Sequence, residues 1–444
     1  VVSKKLKALK INFITFMTLT PNKEKFESQF KIVEGGITAP SGFRASAIGC
    51  GIKNPNHKRL DLAIIHSDFP THSEALFTTN KVKAACVRVS AQNIKYNDVR
   101  TIIANSGNAN ACTGVIGIQD AKAMCKSTAD SLKIKARQVL VCSTGIIGMP
   151  MPIDRIIPNI PSLCNNLTAQ GNADAANAIM TSDTRQKSFS IQVAQPDGSF
   201  YSIGGIAKGA GMINPNMATM LAFITTDANV AKDEVKFATR YAVEHSFNRI
   251  TIDGDTSTND TVIVMSNGAS NINLIKKGSE QALLFRAALC KVMQELARMI
   301  VADGERVTKF VEIRIRNART NSDAVKIAKA VANSLLVKCS WHGGDPNWGR
   351  VIHAVGYSGA KIREELIDIY FGGLIACRGG LSADTPVAEL EKIVKEPKFT
   401  VTIDLNLNSA HHEIYTSDLS QAYVDFNASE YSAAVHAKSQ KGLK

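Results

Sequence analysis

The sequence predicts a mixed α/β fold. Nine short runs read as strands, at 62–66, 100–105, 138–142, 188–193, 220–226, 260–265, 310–315, 368–371 and 399–405. Each is rich in branched or apolar side chains and bounded by turn residues. Between them lie stretches with helical periodicity. The composition, 45% hydrophobic and 20% charged over 444 residues, is that of a packed globular chain and excludes wholesale disorder. No apolar run reaches the roughly 18 residues that a membrane helix needs.

The clearest helix spans 279–301. Ser279 is a plausible N-cap, and Arg286, Lys291, Glu295 and Arg298 form one polar stripe on a largely apolar surface, so this helix should pack on a sheet. Stretches 229–245 and 321–336 read similarly. The alternation is too irregular for a βαβ repeat, and no internal period of about 20–50 residues is present. No linker stands out by composition, so pattern alone does not define domain boundaries.

The formal charge is +13, but it is concentrated at the ends. Lys4, Lys5, Lys7 and Lys10, with Lys438, Lys441 and Lys444, carry more than half of the excess. No RNP-like, zinc-finger or homeodomain pattern accompanies it, so neither nucleic acid nor membrane is an expected partner. The nine cysteines are scattered, mostly in apolar runs such as Ala288-Leu289-Cys290, with no metal-binding spacing. That is the usage of a reducing compartment: cytoplasm, or the mitochondrial matrix if residues 1–16 are a leader. This stretch is lysine-rich and free of acids but lacks the arginines of a transit peptide, so an extended start is the plainer expectation.

Several segments hold more Gly, Asn, Thr and Asp than ordinary loops. They include Asn105-Ser106-Gly107-Asn108-Ala109-Asn110, Ser143-Thr144-Gly145, Gly204 through Thr219, and Asp253 through Asp260. Singly, each reads as a turn. The stretch 204–211 lacks both the GK[ST] ending of a P-loop and dinucleotide-binding spacing. No G-x-S-x-G elbow occurs. Asp253, Asp255 and Asp260 lack the glutamate that closes an EF-hand, so no metal site is expected and Asx-turn chemistry explains them better.

One string differs. Lys208 to Leu221, KGAGMINPNMATML, combines with other motifs in fixed order: Gly35-Gly36-Ile37-Thr38-Ala39-Pro40, Phe77-Thr78-Thr79-Asn80, the 105–110 and 143–145 loops, and Thr181-Ser182-Asp183-Thr184. Asp253–Asp260, Asp303-Gly304-Glu305 and Asp345-Pro346-Asn347-Trp348-Gly349-Arg350 follow. From about Phe30 to Asn427 the chain resembles the glutamate N-acetyltransferase/ornithine acetyltransferase family of arginine biosynthesis. The resemblance implies a layered sandwich of mixed β-sheets with outer helices, related to the self-cleaving aminopeptidases. It also implies autocatalytic cleavage between Ala218 and Thr219, giving fragments 17–218 (or 1–218) and 219–444 that assemble as two of each.

Physical chemistry supports such a nucleophile. A threonine hydroxyl needs a base within reach. Scission before Thr219 supplies one, an α-amine whose ordinary pKa is about 7.7–8.0. The implied reaction moves acetyl from N2-acetylornithine to glutamate through an acetyl-threonine, without metal or redox cofactor. The shared motifs do not report whether acetyl-CoA also serves as donor. By resemblance Thr144 and Gly145 form the oxyanion hole, and Thr181 (or Ser182), Lys208, Thr219, Glu305, Asn427 and Ser432 bind substrate. Lys208 would meet a carboxylate and Glu305 the ornithine side-chain amine.

The family pattern is broken in two places. Gly-Glu-Gly-Ala-Thr-Lys becomes Gly304-Glu305-Arg306-Val307-Thr308-Lys309, which restricts φ and adds a cation beside the amine-binding glutamate. The closing Asn-x-x-Tyr-x-Thr becomes Asn427-Ala428-Ser429-Glu430-Tyr431-Ser432, with the tyrosine one place late. Two alternatives use the same residues: a self-cleaving aminopeptidase or amidase, and an unprocessed protein that binds a basic amino acid.

Overall fold

The computed structural model describes residues 26–56, 59–214 and 220–428. The stretch 1–16, Ala218, Thr219 and Ser432 lie outside them. The first ten strands are β1 (Phe30–Ile32), β2 (Phe43–Ile48), β3 (Leu62–Ser67), β4 (His72–Phe77), β5 (Thr101–Asn105), β6 (Val139–Ser143), β7 (Lys187–Ala194), β8 (Phe200–Lys208), β9 (Leu221–Thr226) and β10 (Thr261–Ser266). They form a six-stranded sheet in the order β1-β7-β8-β9-β10-β4 and a four-stranded sheet in the order β2-β3-β5-β6. Both are mixed: β9 runs parallel to β10 and β5 parallel to β6, while the other pairings are antiparallel.

The two sheets stack face to face. Ile65, Ile102 and Leu140 of the smaller sheet meet Phe223 and Ile263 of the larger in one buried cluster. Helices α1 (Ala85–Asn93) and α2 (Gly114–Leu132) cover the outer face of the smaller sheet. Helices α3 (Lys232–Glu244) and α4 (Glu280–Ala302) cover that of the larger. The result is a four-layer α/β/β/α sandwich, the layered architecture that the family resemblance implies. Strands buried on both faces explain its near-continuous apolar runs: all six residues of β9 and of β10 are buried.

A third sheet follows, built from β11 (Phe310–Ala318), β12 (Asp368–Phe371), β13 (Leu374–Arg378), β14 (Leu381–Ser382), β15 (Lys398–Asp404) and β16 (Ala410–Ser417) in the order β14-β13-β12-β15-β11-β16. Helices α5 (Asn321–Ala332), α6 (Leu335–His342) and α7 (Trp348–Gly356) pack on it around the buried Trp341. This second core is separate from the sandwich, a division that composition does not reveal. The described chain ends in α8 (Gln421–Asn427).

All nine expected strands are present, eight with ends within a residue of those expected and β11 running three residues further, to Ala318. The expected helix 321–336 is instead two helices. Ser334 accepts from Val337 N (3.4 Å) and starts the second one. Ser279 caps α4 as expected, accepting from Ala282 N at 3.1 Å. The polar stripe needs correction, because Arg286 is buried rather than solvated. Its Nε and Nη2 each lie 2.7 Å from a different oxygen of Glu234 on α3, and its guanidinium stands 4.2 Å from the Phe237 ring centre. Two helices are thereby clamped by an ion pair within an apolar interface. Removing one partner strands the other charge out of water, so Glu234→Ala should cost about 3–5 kcal/mol in urea denaturation.

Candidate functional site

The strand register gathers the motifs at one end of the sandwich. Lys208, the last residue of β8, pairs with Leu221, the first of β9. Leu221 pairs with Thr261 at the start of β10, and Thr261 with Phe77 at the end of β4. In the other sheet, β5 and β6 end together at Asn105 and Ser143. Asn259 joins the two sheets, since its Nδ2 donates to Ala109 O (2.6 Å) and Ser143 O (2.8 Å). The loop carrying Asn259 is held in turn by Thr78 Oγ1, which donates to Ser257 O at 2.7 Å, and by Asn80 Nδ2, which donates to Thr256 O at 2.9 Å.

Thr144 and Gly145 leave β6 at this end. Thr144 N donates to Asn105 O (2.9 Å), and the threonine is buried, its hydroxyl without a partner among the described residues. Gly145 has φ +134°, and a Cβ there would lie 2.4 Å from Gly107 C and 2.5 Å from Asn108 N. The 105–110 and 143–145 loops therefore touch backbone to backbone, which only glycine permits.

Beside them runs a chain of buried charges. Lys187 Nζ, fully buried, lies 2.6 Å from Asp183 Oδ1 and 2.6 Å from Asp303 Oδ2. Asp183 Oδ2 lies 4.0 Å from Lys208 Nζ. The same Asp183 accepts from Thr181 N (2.9 Å) and Gly209 N (2.8 Å), while Asp303 accepts from the hydroxyl and backbone N–H of Thr184. Burial alone would raise the Asp183 pKa, but Lys208, Lys187 and these hydrogen bonds outweigh it and hold the carboxyl well below its ordinary range. Burial pushes Lys208 down, against the opposing pull of Asp183 and, more weakly, Glu305 and Asp260.

Glu305 is two residues past Asp303. Its N–H donates to Ala210 O (2.8 Å), and its carboxylate lies so close to Gly211 that a Cβ there would come within 2.3 Å of Oε2. Ser182 Oγ donates to Oε1 (2.5 Å) and Asn427 Nδ2 to Oε2 (3.1 Å). Asp253, expected as an Asx-turn residue, accepts from the backbone N–H groups of Met212 (2.5 Å), Ile213 (2.8 Å) and Asp255 (3.2 Å) and from Tyr423 OH (3.2 Å). Among the described residues no His/Cys/Asp/Glu group has the makings of a metal site.

Lys208 is thus close enough to Glu305 and Asp260 to feel both carboxylates, Asn427 binds Glu305, and Asn259 ties Ser143, the residue before Thr144-Gly145, to the loop that carries Asp260. Thr181 contributes its backbone: its N–H goes to Asp183, and its carbonyl accepts from Arg59 Nη1 at 3.3 Å. It is the side chain of Ser182 that reaches Glu305. Sequence reasoning passes over Asp183, Lys187, Asp303, Asp253 and Arg59 as site residues. The one signal available is that Asp183, Asp253 and Asp303 sit inside motifs that carry the family resemblance, at 181–184, 253–260 and 303–305.

A family model for ArgJ matches residues 44–433. The chain belongs to the ArgJ family. It is 46% identical over 388 residues to the arginine biosynthesis bifunctional protein ArgJ of Geobacter sulfurreducens, covering 87% of this chain and 98% of that protein. It is 43% identical over 411 residues to a glutamate N-acetyltransferase of Methanocaldococcus jannaschii, covering 90% and 99%. Among solved structures it is similar to a chain of an ornithine acetyltransferase from Mycobacterium tuberculosis, solved with ornithine (34% identity, 43% of this chain, 99% of that one, TM-score 0.39).

The buried charges make the site sensitive to both substitution and acid. Lys187→Met leaves two carboxylates facing each other out of water and should destabilise the fold by about 3–5 kcal/mol in urea titration. Since the Asp183 pKa is lowered on folding, its contribution is complete above the unfolded-state value of about 3.9 and is lost as pH falls through and below it. Denaturation curves taken at falling pH should lose stability over that window, and Asp183→Asn should remove that part of the slope.

Proposed function

We propose that this ArgJ-family chain is a glutamate N-acetyltransferase that takes acetyl from N2-acetylornithine and passes it to glutamate through Thr219. The observation that carries the reading is the register that sets Lys208 beside Leu221, two positions after Thr219, with Glu305 held against Gly211 nearby. A zwitterionic diamino acid calls for this pairing of buried cation and fixed carboxylate around one nucleophile. Lys208 is assigned the substrate carboxylate and Glu305 the ornithine side-chain amine, with Ser182, Asn427 and Ser432 completing the binding set.

The chemistry proceeds in two stages on one hydroxyl. Thr219 Oγ attacks the carbonyl carbon of Ala218, the C–N bond breaks, and the acyl group moves to oxygen while nitrogen takes the proton. Water hydrolyses that ester, leaving an Ala218 carboxylate and a free Thr219 amine. The amine then accepts the Oγ proton as Oγ attacks the acetyl carbonyl of N2-acetylornithine. It returns that proton to the departing ornithine nitrogen, and the glutamate α-amine afterwards takes acetyl from the ester. The Thr144 hydroxyl and the Gly145 N–H are assigned to the oxyanion of each tetrahedral intermediate. Both stages are acyl transfers without net oxidation, so neither metal nor redox cofactor is required. Acetyl-CoA, an activated acetyl thioester, fits the same attack as an alternative donor.

The fold favours fragments that stay together after scission. β8 and β9 are antiparallel neighbours paired from Ile203↔Thr226 to Lys208↔Leu221, so a cut between 218 and 219 interrupts only the connection between them. Fragments 17–218 and 219–444 would share this sheet and both of its cores, and two copies of each make the proposed assembly. Scattered free cysteines, seven of the nine buried, suit a cytoplasmic setting.

Two variants test the assignment. Thr219→Ala should give one uncleaved band on a denaturing gel and no acetyl transfer; cleavage or turnover in that variant would overturn it. Thr144→Val, which keeps the branched shape but loses the hydroxyl, should lower kcat about 10²–10³-fold while the fold stays intact.

A further inference from the structure

Helix α8 is unusual in how little holds it. None of its seven residues is buried, and a helix this short has no stability of its own in water. Its position therefore depends on side-chain contacts, and these converge on the candidate site. Tyr423 OH donates to Asp253 (3.2 Å), Asn427 Nδ2 donates to Glu305 (3.1 Å), and the Phe426 ring lies 4.9 Å from the Arg306 guanidinium carbon. The N-cap, Ser420, accepts from Tyr423 N (3.1 Å) while its own hydroxyl donates to Arg306 O at 2.6 Å. Arg306 is thus gripped at both ends by the same helix, its carbonyl by the cap and its guanidinium by the ring.

Arg306 also has φ +55°, in the left-handed region. Five of the nine described non-glycine residues there are asparagines, whose short amide tolerates this backbone. Arginine has no such local compensation. Cys112, Lys133 and Met212 (φ +56°) are the other exceptions, and Asp253, which accepts the Met212 N–H, is the residue that Tyr423 reaches. Backbone strain persists where the surroundings over-determine it, and such places concentrate at functional sites. Of these four, Arg306 meets α8 directly and Met212 is linked to it through Asp253.

We propose that Arg306 is a positioning residue: its guanidinium, seated on the Phe426 ring, docks α8 so that Asn427 fixes the Glu305 carboxylate for the substrate amine. The proposal rests on the acetyltransferase reading for its kinetic part, while the docking itself is a property of the fold. Arg306→Gly removes the guanidinium and relieves the φ strain, so a loss of function in that variant does not come from a less stable fold. Phe426→Leu removes the other partner and keeps an apolar side chain.

Both variants should expose the amides of α8 to faster hydrogen exchange. They should raise KM for N2-acetylornithine more than they lower kcat, by about two- to fivefold, the shift carried by an exposed cation–π contact. The double variant should show no more than either single change. Unaltered exchange and KM in folded Arg306→Gly, or fully additive single effects, would overturn the proposal. If the unsubstituted chain moved no acetyl group, the acetyltransferase reading would fall, and the exchange comparison would still decide whether Arg306 docks the helix.

Discussion

A single buried ammonium organises this end of the molecule. Lys187 sits at the start of β7 with no exposed side-chain surface, and a charge so placed must be paired. It is paired twice, with Asp183 and Asp303, which come from segments more than a hundred residues apart. Each carboxylate then spends its remaining capacity on backbone: Asp183 on Thr181 and Gly209, Asp303 on Thr184. The positions of Lys208 and Glu305 follow, because one stands within 4.0 Å of Asp183 and the other is two residues from Asp303. Alternating sign along Lys208, Asp183, Lys187 and Asp303 leaves no net buried charge, which makes such a cluster tolerable out of water.

The central strands impose the second constraint. β8 and β9 are adjacent in the larger sheet and meet both apolar layers, so the segment between them is tethered at both ends by paired strands. The proposed cut between 218 and 219 falls outside the β8–β9 ladder, which ends at Lys208↔Leu221. Under the proposed self-processing, the strand that follows the cut, β9, keeps a paired neighbour on each side, β8 and β10.

Much of this fold is legible in the sequence, and the misreadings at β8, Arg286, Lys208 and Glu305 have identifiable physical causes. Strands such as β9 and β10 declare themselves because they are buried on both faces and made of Val, Ile, Leu and Phe. β8 does not, since Gly204 and Gly205 interrupt its pattern and read as a loop, although the strand is buried along nearly its whole length. The stripe on α4 misleads at Arg286 because the partner that neutralises it, Glu234, stands 52 positions away on another helix. Lys208 and Glu305 read locally as surface charges for the same reason. Burial of a charge is decided by partners distant in sequence, and neither periodicity nor composition records them. Motif order does better, because it reflects the assembled site: it points to Thr181 or Ser182, and of the two it is the Ser182 hydroxyl that reaches Glu305.

The most direct test of the central claim is the intact mass of the denatured protein after incubation with N2-acetylornithine in the absence of glutamate. The account predicts two polypeptides, with the one that begins at Thr219 carrying a single acetyl group that disappears when glutamate is added. A full-length chain that transfers acetyl without being cut, or acetyl found on the N-terminal fragment instead, would contradict it.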